Sequence, residues 1–118
     1  MDRIIISDLR SGCIIGVNDE ERREKQDVSI TISIYAELRK AGQTDRYEDA
    51  VDYRSIKKRV LAAVEESKFY LLEALAESVA KVCLAAPGVL KVQVRVDKPS
   101  ALRFARSVAV EIVREKGV

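Results

Sequence analysis

No histidine occurs among the 118 residues. That absence excludes a histidine-based catalytic triad, and it leaves a zinc site nothing but two cysteines and scattered carboxylates. Cys13 and Cys83 lie far apart and form no CxxC pair, which points to a reduced, cytoplasmic setting rather than a disulfide framework. Long apolar runs are missing as well: none approaches the roughly 20 residues that a membrane-spanning helix needs. The opening MDRIIISDLR carries charge on both sides of a short apolar run, the pattern of a strand and not of a secretory signal. Nor is there an excess of one charge. Lys and Arg number 21 against 19 Asp and Glu, a formal net charge of +2, and the basic clusters at 22–25 and 57–59 sit beside acids and read as solvated faces. No nucleic-acid footprint stands out, and no membrane partner is expected. Acid–base chemistry in this chain has to draw on Lys, Glu, Asp, Tyr or backbone groups.

What is present is regular. Hydrophobic residues at 47% and charged residues at 34% fit one globular domain over residues 1–118. In VSITISIYAEL (28–38), Val28, Ile30, Ile32, Ile34, Ala36 and Leu38 alternate with polar residues, which predicts a strand with one apolar face. Val92, Val94 and Val96 repeat the pattern, as do Val108, Val110 and Ile112; a first strand around 3–9 is less regular. Between the strand pairs the spacing turns helical. Ile56, Val60, Ala63 and Val64 share one face of a helix from Arg54 to about Ser67. Leu72, Leu75, Ala76, Val79, Val82 and Cys83 share one face of a second, from Leu72 to about Ala86, closed by Pro87-Gly88. The order strand, strand, helix, helix, strand, strand predicts an α+β fold: a four-stranded antiparallel sheet with two helices on one face. The exposed edges of such a sheet invite pairing with a neighbouring copy.

Four places offer chemistry, each with a plainer alternative. Glu73 lies about 100° from the centre of the second helix's apolar stripe; it suits the helix dipole, or it presents two acceptors to a ligand with paired N–H donors. Lys98 ends the Val92–Val96 run and is followed by Pro99, so it is either a surface lysine or one placed at a strand end for proton transfer. Glu21 ends the run of three carboxylates Asp19-Glu20-Glu21 in GVNDEERREKQ (16–26), where the plainer reading is a solvent-facing acid. Tyr53 stands in AVDYRSI where the first helix begins, with a capping or packing tyrosine as the plainer reading.

Together, GVNDEERREKQDVSI, RKAGQTDRYEDAVDYRSI, LLEALAESVAKV and VRVDKP…SVAVEI resemble the dihydroneopterin aldolase family from about residue 3 to 114. The resemblance implies the tunnelling fold, in which sheets join edge to edge into an oligomeric barrel, a homo-tetramer or stacked octamer with active sites between subunits. It implies a small-molecule pterin substrate, no cofactor and no metal. Glu73 would anchor the pterin through its 2-amino group and ring N–H, with backbone groups at Val51 and Leu72 on the ring. Lys98 and Tyr53 would transfer protons, and Glu21 would orient the site near Lys98. The chemistry implied is a retro-aldol cleavage of 7,8-dihydroneopterin in folate biosynthesis. One departure stands out: the loop SALRFARSV is short and basic, and resembles a sub-branch that includes dihydroneopterin triphosphate 2′-epimerase. Arg103 and Arg106 would then face a substrate phosphate tail, or else solvent.

Overall fold

The computed structural model describes residues 1–99 and 101–117. Four strands, β1 (Arg3–Cys13), β2 (Gln26–Tyr35), β3 (Lys91–Pro99) and β4 (Ser107–Glu115), form one antiparallel sheet in the order β1-β2-β3-β4. Two helices, α2 (Tyr53–Glu66) and α3 (Leu72–Leu84), connect β2 to β3 and cover one face. The α+β arrangement is the one that the alternation and helical spacing predict. A short additional helix, α1 (Arg39–Thr44), interrupts the connection. The expected strand over 28–38 ends earlier for that reason: the Glu37 carboxylate accepts from the backbone N–H groups of Arg39, at 2.7 Å, and Lys40, at 3.3 Å, and Leu38 becomes the N-cap of α1.

The core follows strand parity. Val28, Ile30, Ile32 and Ile34 of β2 and Val92, Val94 and Val96 of β3 are fully buried beneath the helices. On α2, Ile56, Val60 and Val64 recur at four-residue spacing; on α3 the buried face is Leu75, Ala76, Val79, Ala80 and Cys83. α2 starts cleanly because the Asp52 side chain accepts from the Ser55 N–H at 3.0 Å, a cap of the kind that stabilises helix starts by about 1 kcal/mol. β1 looks irregular in sequence because it contains a bulge. Its register shifts between Ile6 and Leu9, and Asp8 takes a φ of 50°. Before the bulge Ile4 and Ile6 face the core; after it Leu9 and Cys13 do, so no single alternation runs through the strand.

Two consequences position the site. First, α2 and α3 run antiparallel, so the loop at 67–71 lies at one end of the layer and the Val51–Tyr53 and Pro87–Gly88 segments at the other. With about 1.5 Å of rise per residue, the 14 residues of α2 separate these ends by roughly 20 Å. Second, the parity of Val92, Val94 and Val96 continues to Lys98, which puts a lysine on the helix-covered face.

Candidate active site

Lys98 is 8% exposed, the one charged side chain among the buried described residues. Burying an ammonium is costly unless it is paired, and here Nζ meets the Glu21 carboxylate at Oε2. Glu21 comes from the 3₁₀ turn Glu20–Arg22 that follows β1. Its other oxygen accepts from the Asn18 N–H at 3.2 Å. Lys98 first, and Asn18 second, hold the Glu21 carboxyl below its ordinary value of 4.5.

Gly16 makes this pairing possible. Its φ of +126° is one that side-chain-bearing residues rarely adopt, and a Cβ there would overlap the Glu21 carboxylate. The carboxylate thus occupies the space a side chain at position 16 would need. Gln26 braces the same loop, donating from Nε2 to the Ile15 carbonyl at 2.6 Å and to the Glu21 carbonyl at 3.5 Å. The Gly16 N–H reaches the Phe69 carbonyl at 3.4 Å, joining this loop to the one that precedes α3.

Leu72 and Glu73 open α3 on that same end. Leu71 is the N-cap and no side chain caps the helix, so the first turn depends on the acid at Glu73 and on whatever approaches it. Glu73 is exposed and Leu72 half-buried against the core. Farther along α3, Glu77 pairs with Arg114 of β4.

Val51 and Tyr53 do not join this group within the chain. Val51 is buried at the opposite end, where its Cγ2 lies 3.3 Å from the position a Cβ on Gly88 would take. Tyr53, half-exposed, lines a cavity of about 390 Å³ with Tyr47, Ala50, Val51, Asp52 and Arg54. Arg103 and Arg106 are separated from Lys98 in another way. The loop they occupy leads into β4, and Arg106 lies on the polar face of the sheet, where its charge acts on Asp97. Asp97 is already bound by Arg95 at 2.9 Å and by the Ser107 hydroxyl at 3.0 Å. This face holds a shallow concavity of about 640 Å³ lined by Arg106, Asp97, Arg95, Asp8 and Arg10, but neither Lys98 nor Glu21 reaches it. Arg103 packs over the Phe104 ring at 5.2 Å, and Phe104 is itself 98% exposed. Ser100 of the same loop lies outside the described residues.

Sequence reasoning missed two participants. Arg22, placed in solvent with the rest of its basic cluster, reaches inward to backbone carbonyls. Gln26 supports the loop although nothing in its alternation marks it. Both cysteines are buried thiols; desolvation pushes Cys83 up to about 12 and raises Cys13, so neither is a nucleophile near neutral pH. No cluster of three metal-ligating side chains occurs among the described residues.

The chain as a whole has counterparts among known proteins. A family model described as FolB, dihydroneopterin aldolase, matches residues 4–113. Folic acid synthesis protein FOL1 of Dictyostelium discoideum is 43% identical over 114 residues; the match covers 97% of this chain but 17% of that protein, so the chain spans about a sixth of its length. Dihydroneopterin triphosphate 2′-epimerase of Pseudomonas aeruginosa is 39% identical over 112 residues, covering 95% of this chain and 91% of that one. The crystal structure of Escherichia coli dihydroneopterin aldolase in complex with neopterin superposes with a TM-score of 0.91 at 34% identity, covering 97% of this chain and 99% of that chain. The model match over nearly the whole chain, and the likeness of fold at more than 30% identity, have one consequence: the chain belongs to the dihydroneopterin aldolase family.

Proposed function

We propose that this protein cleaves 7,8-dihydroneopterin by a retro-aldol reaction to 6-hydroxymethyl-7,8-dihydropterin and glycolaldehyde, a step of folate synthesis. The observation that carries this is the buried Lys98–Glu21 pair at the same end of the layer as Leu72 and Glu73. Lys98, directly or through a water, relays the proton of the substrate 2′-hydroxyl to N5, giving up one proton as it receives another. The C1′–C2′ bond breaks as the C2′ carbonyl forms, and the electron pair flows from C1′ into the C6=N5 imine, where N5 gains a proton. Protonation at C1′ with release of the N5 proton, which returns to the proton carriers of the site, then restores the imine and gives the hydroxymethyl group. The pterin ring is the electron sink, so the chemistry asks for proton carriers, and this chain offers lysine, glutamate and tyrosine. Glu21 pairs with the buried Lys98 and aims its Nζ. Glu73 accepts from the 2-amino group and neighbouring ring N–H of the pterin, a paired geometry that suits a carboxylate, while backbone groups at Leu72 and Val51 meet the ring. Tyr53 delivers the proton to C1′.

Tyr53 and Val51 lie roughly 20 Å from Lys98 in their own chain, by the length of α2. A complete site therefore takes Lys98, Glu21 and Glu73 from one copy and Tyr53 and Val51 from another. Edge-to-edge pairing of the free β1 and β4 strands into a tunnelling barrel, as a tetramer or a stacked octamer, supplies such a second copy.

A second reading has its own support. The exposed arginines of the 101–107 loop, and the 39% identity to a protein named as a triphosphate 2′-epimerase, favour some epimerisation. Epimerisation is the same cleavage followed by return of glycolaldehyde to the other face. Chromatography of products from 7,8-dihydroneopterin and from its triphosphate separates the two. Hydroxymethyl-dihydropterin from the free substrate is expected; a C2′ stereoisomer formed mainly from the triphosphate would give the epimerase instead, and no conversion of either would refute both.

A further inference from the structure

Arg22 is the residue that joins the two halves of the site contributed by one chain. Its Nη1 donates to the Gly16 carbonyl at 3.1 Å and to the Phe69 carbonyl at 2.9 Å, and its Nη2 donates to the Lys68 carbonyl. The guanidinium carbon lies 4.0 Å from the centre of the Tyr70 ring, so the planar group is hydrogen-bonded at its edge and stacked on its face. On one side of Arg22 in the chain is Glu21, the partner of Lys98. On the other side, in space, are the carbonyls of residues 68 and 69, just before Leu72 and Glu73. Among the described residues, the only other hydrogen bond between these loops is the Gly16–Phe69 contact, at 3.4 Å. It shares its acceptor with Arg22. Core packing seats α3 on β3, and Arg22 is the side chain that ties the loop carrying Lys98's partner to the loop that leads into the α3 start.

We infer that Arg22 is a positioning residue for the reaction proposed above, on which this inference rests: it fixes where Glu73 holds the ring relative to Lys98, without touching substrate. The inference requires a particular split in kinetics. Leu72, Glu73 and the start of α3 form without Arg22, so the ring still binds. It binds displaced from Lys98, and a displacement of about 1 Å from the productive geometry lowers turnover on the order of 100-fold. A residue that merely stabilised the fold would lower the melting temperature and leave kcat of the folded protein unchanged.

The test compares wild type, Arg22→Ala, Arg22→Lys and Lys98→Ala as assembled, folded proteins, with oligomeric state and circular dichroism matched. Turnover of 7,8-dihydroneopterin is measured beside the Kd of the product, 6-hydroxymethyl-7,8-dihydropterin. Arg22→Ala is expected to lose on the order of 100-fold in kcat with Kd changed by no more than about threefold, and millimolar guanidinium is expected to restore part of the loss. Arg22→Lys keeps the charge but not the planar fork, and is expected to lose about tenfold or more. Wild-type kcat in Arg22→Ala, or a loss of product binding as large as the loss of turnover, overturns the inference. If Arg22→Ala does not fold, Arg22→Lys decides alone, and wild-type turnover in it is the contrary result. An active wild type with an inactive Lys98→Ala and indifferent Arg22 variants defeats this inference only; an inactive wild type defeats the functional reading and the inference with it.

Discussion

The two ends of the α2–α3 layer are built on different principles. At the β3 exit, Lys98, Glu21, Gly16, Arg22 and Gln26 are locked together by side-chain and backbone hydrogen bonds, most of them partly buried. At the opposite end, Val51 packs against Gly88 while Tyr53, Tyr47 and Asp52 line a cavity open to solvent. The first end is preorganised, holding a charged lysine in place before any substrate arrives. The second has its residues displayed but little to fix their side chains from within the chain. A site that needs both ends therefore has to bring together a rigid part and a part completed by another molecule.

Substitutions at the rigid end are expected to have the largest effects. Lys98→Ala should lower turnover of 7,8-dihydroneopterin by about 10²–10⁴-fold, the usual worth of a positioned acid–base group, with pterin binding largely kept. Steady-state kinetics beside a binding titration checks this. Glu21→Gln leaves the Lys98 charge buried without its counterion, and should cost about 3–5 kcal/mol of stability at neutral pH in urea unfolding. The sign with pH follows from the lowered carboxyl. Glu21's contribution is fully present above its ordinary value of 4.5 and is lost as pH falls through the lower folded-state value. Wild type and Glu21→Gln should thus converge in stability under acid, and a gap that stayed constant on acidification would show that the pair is not its source. The smallest effect belongs to the basic loop. The Arg103→Ala/Arg106→Ala double variant should reduce any preference for triphosphate over free substrate by about tenfold per lost charge-assisted contact at most. An unchanged preference would leave these arginines to solvent and to Asp97.

Much of the fold was legible because β2 and β3 alternate cleanly and α2 and α3 keep their apolar faces. β1 was not, since the bulge at Asp8 switches which residues face inward, and no local pattern announces a bulge. α1 was hidden because its six residues bury nothing. The strand parity of Val92, Val94 and Val96 already pointed Lys98 inward, so its burial could have been read from sequence. Its partner could not. Glu21, Glu20 and Glu24 are alike in composition, and only the turn at 20–22 and the missing side chain at Gly16 select one of them. Arg22 was misplaced for a similar reason: an arginine among charges looks solvated until the loop at 67–71 folds against it. The distance between Tyr53 and Lys98 depends on the antiparallel path of the helices, which a motif list leaves out.

Subunit mixing tests the two-ended site most directly. Lys98→Ala and Tyr53→Phe proteins are each expected to be nearly inactive. Dissociated, mixed in equal amounts and reassembled, they should regain about a quarter of wild-type turnover, because random pairing of two kinds of copy makes one site in four with both residues intact. No recovery in mixed assemblies, from two variants that each fold and assemble, would mean that Lys98 and Tyr53 do not meet across a subunit boundary.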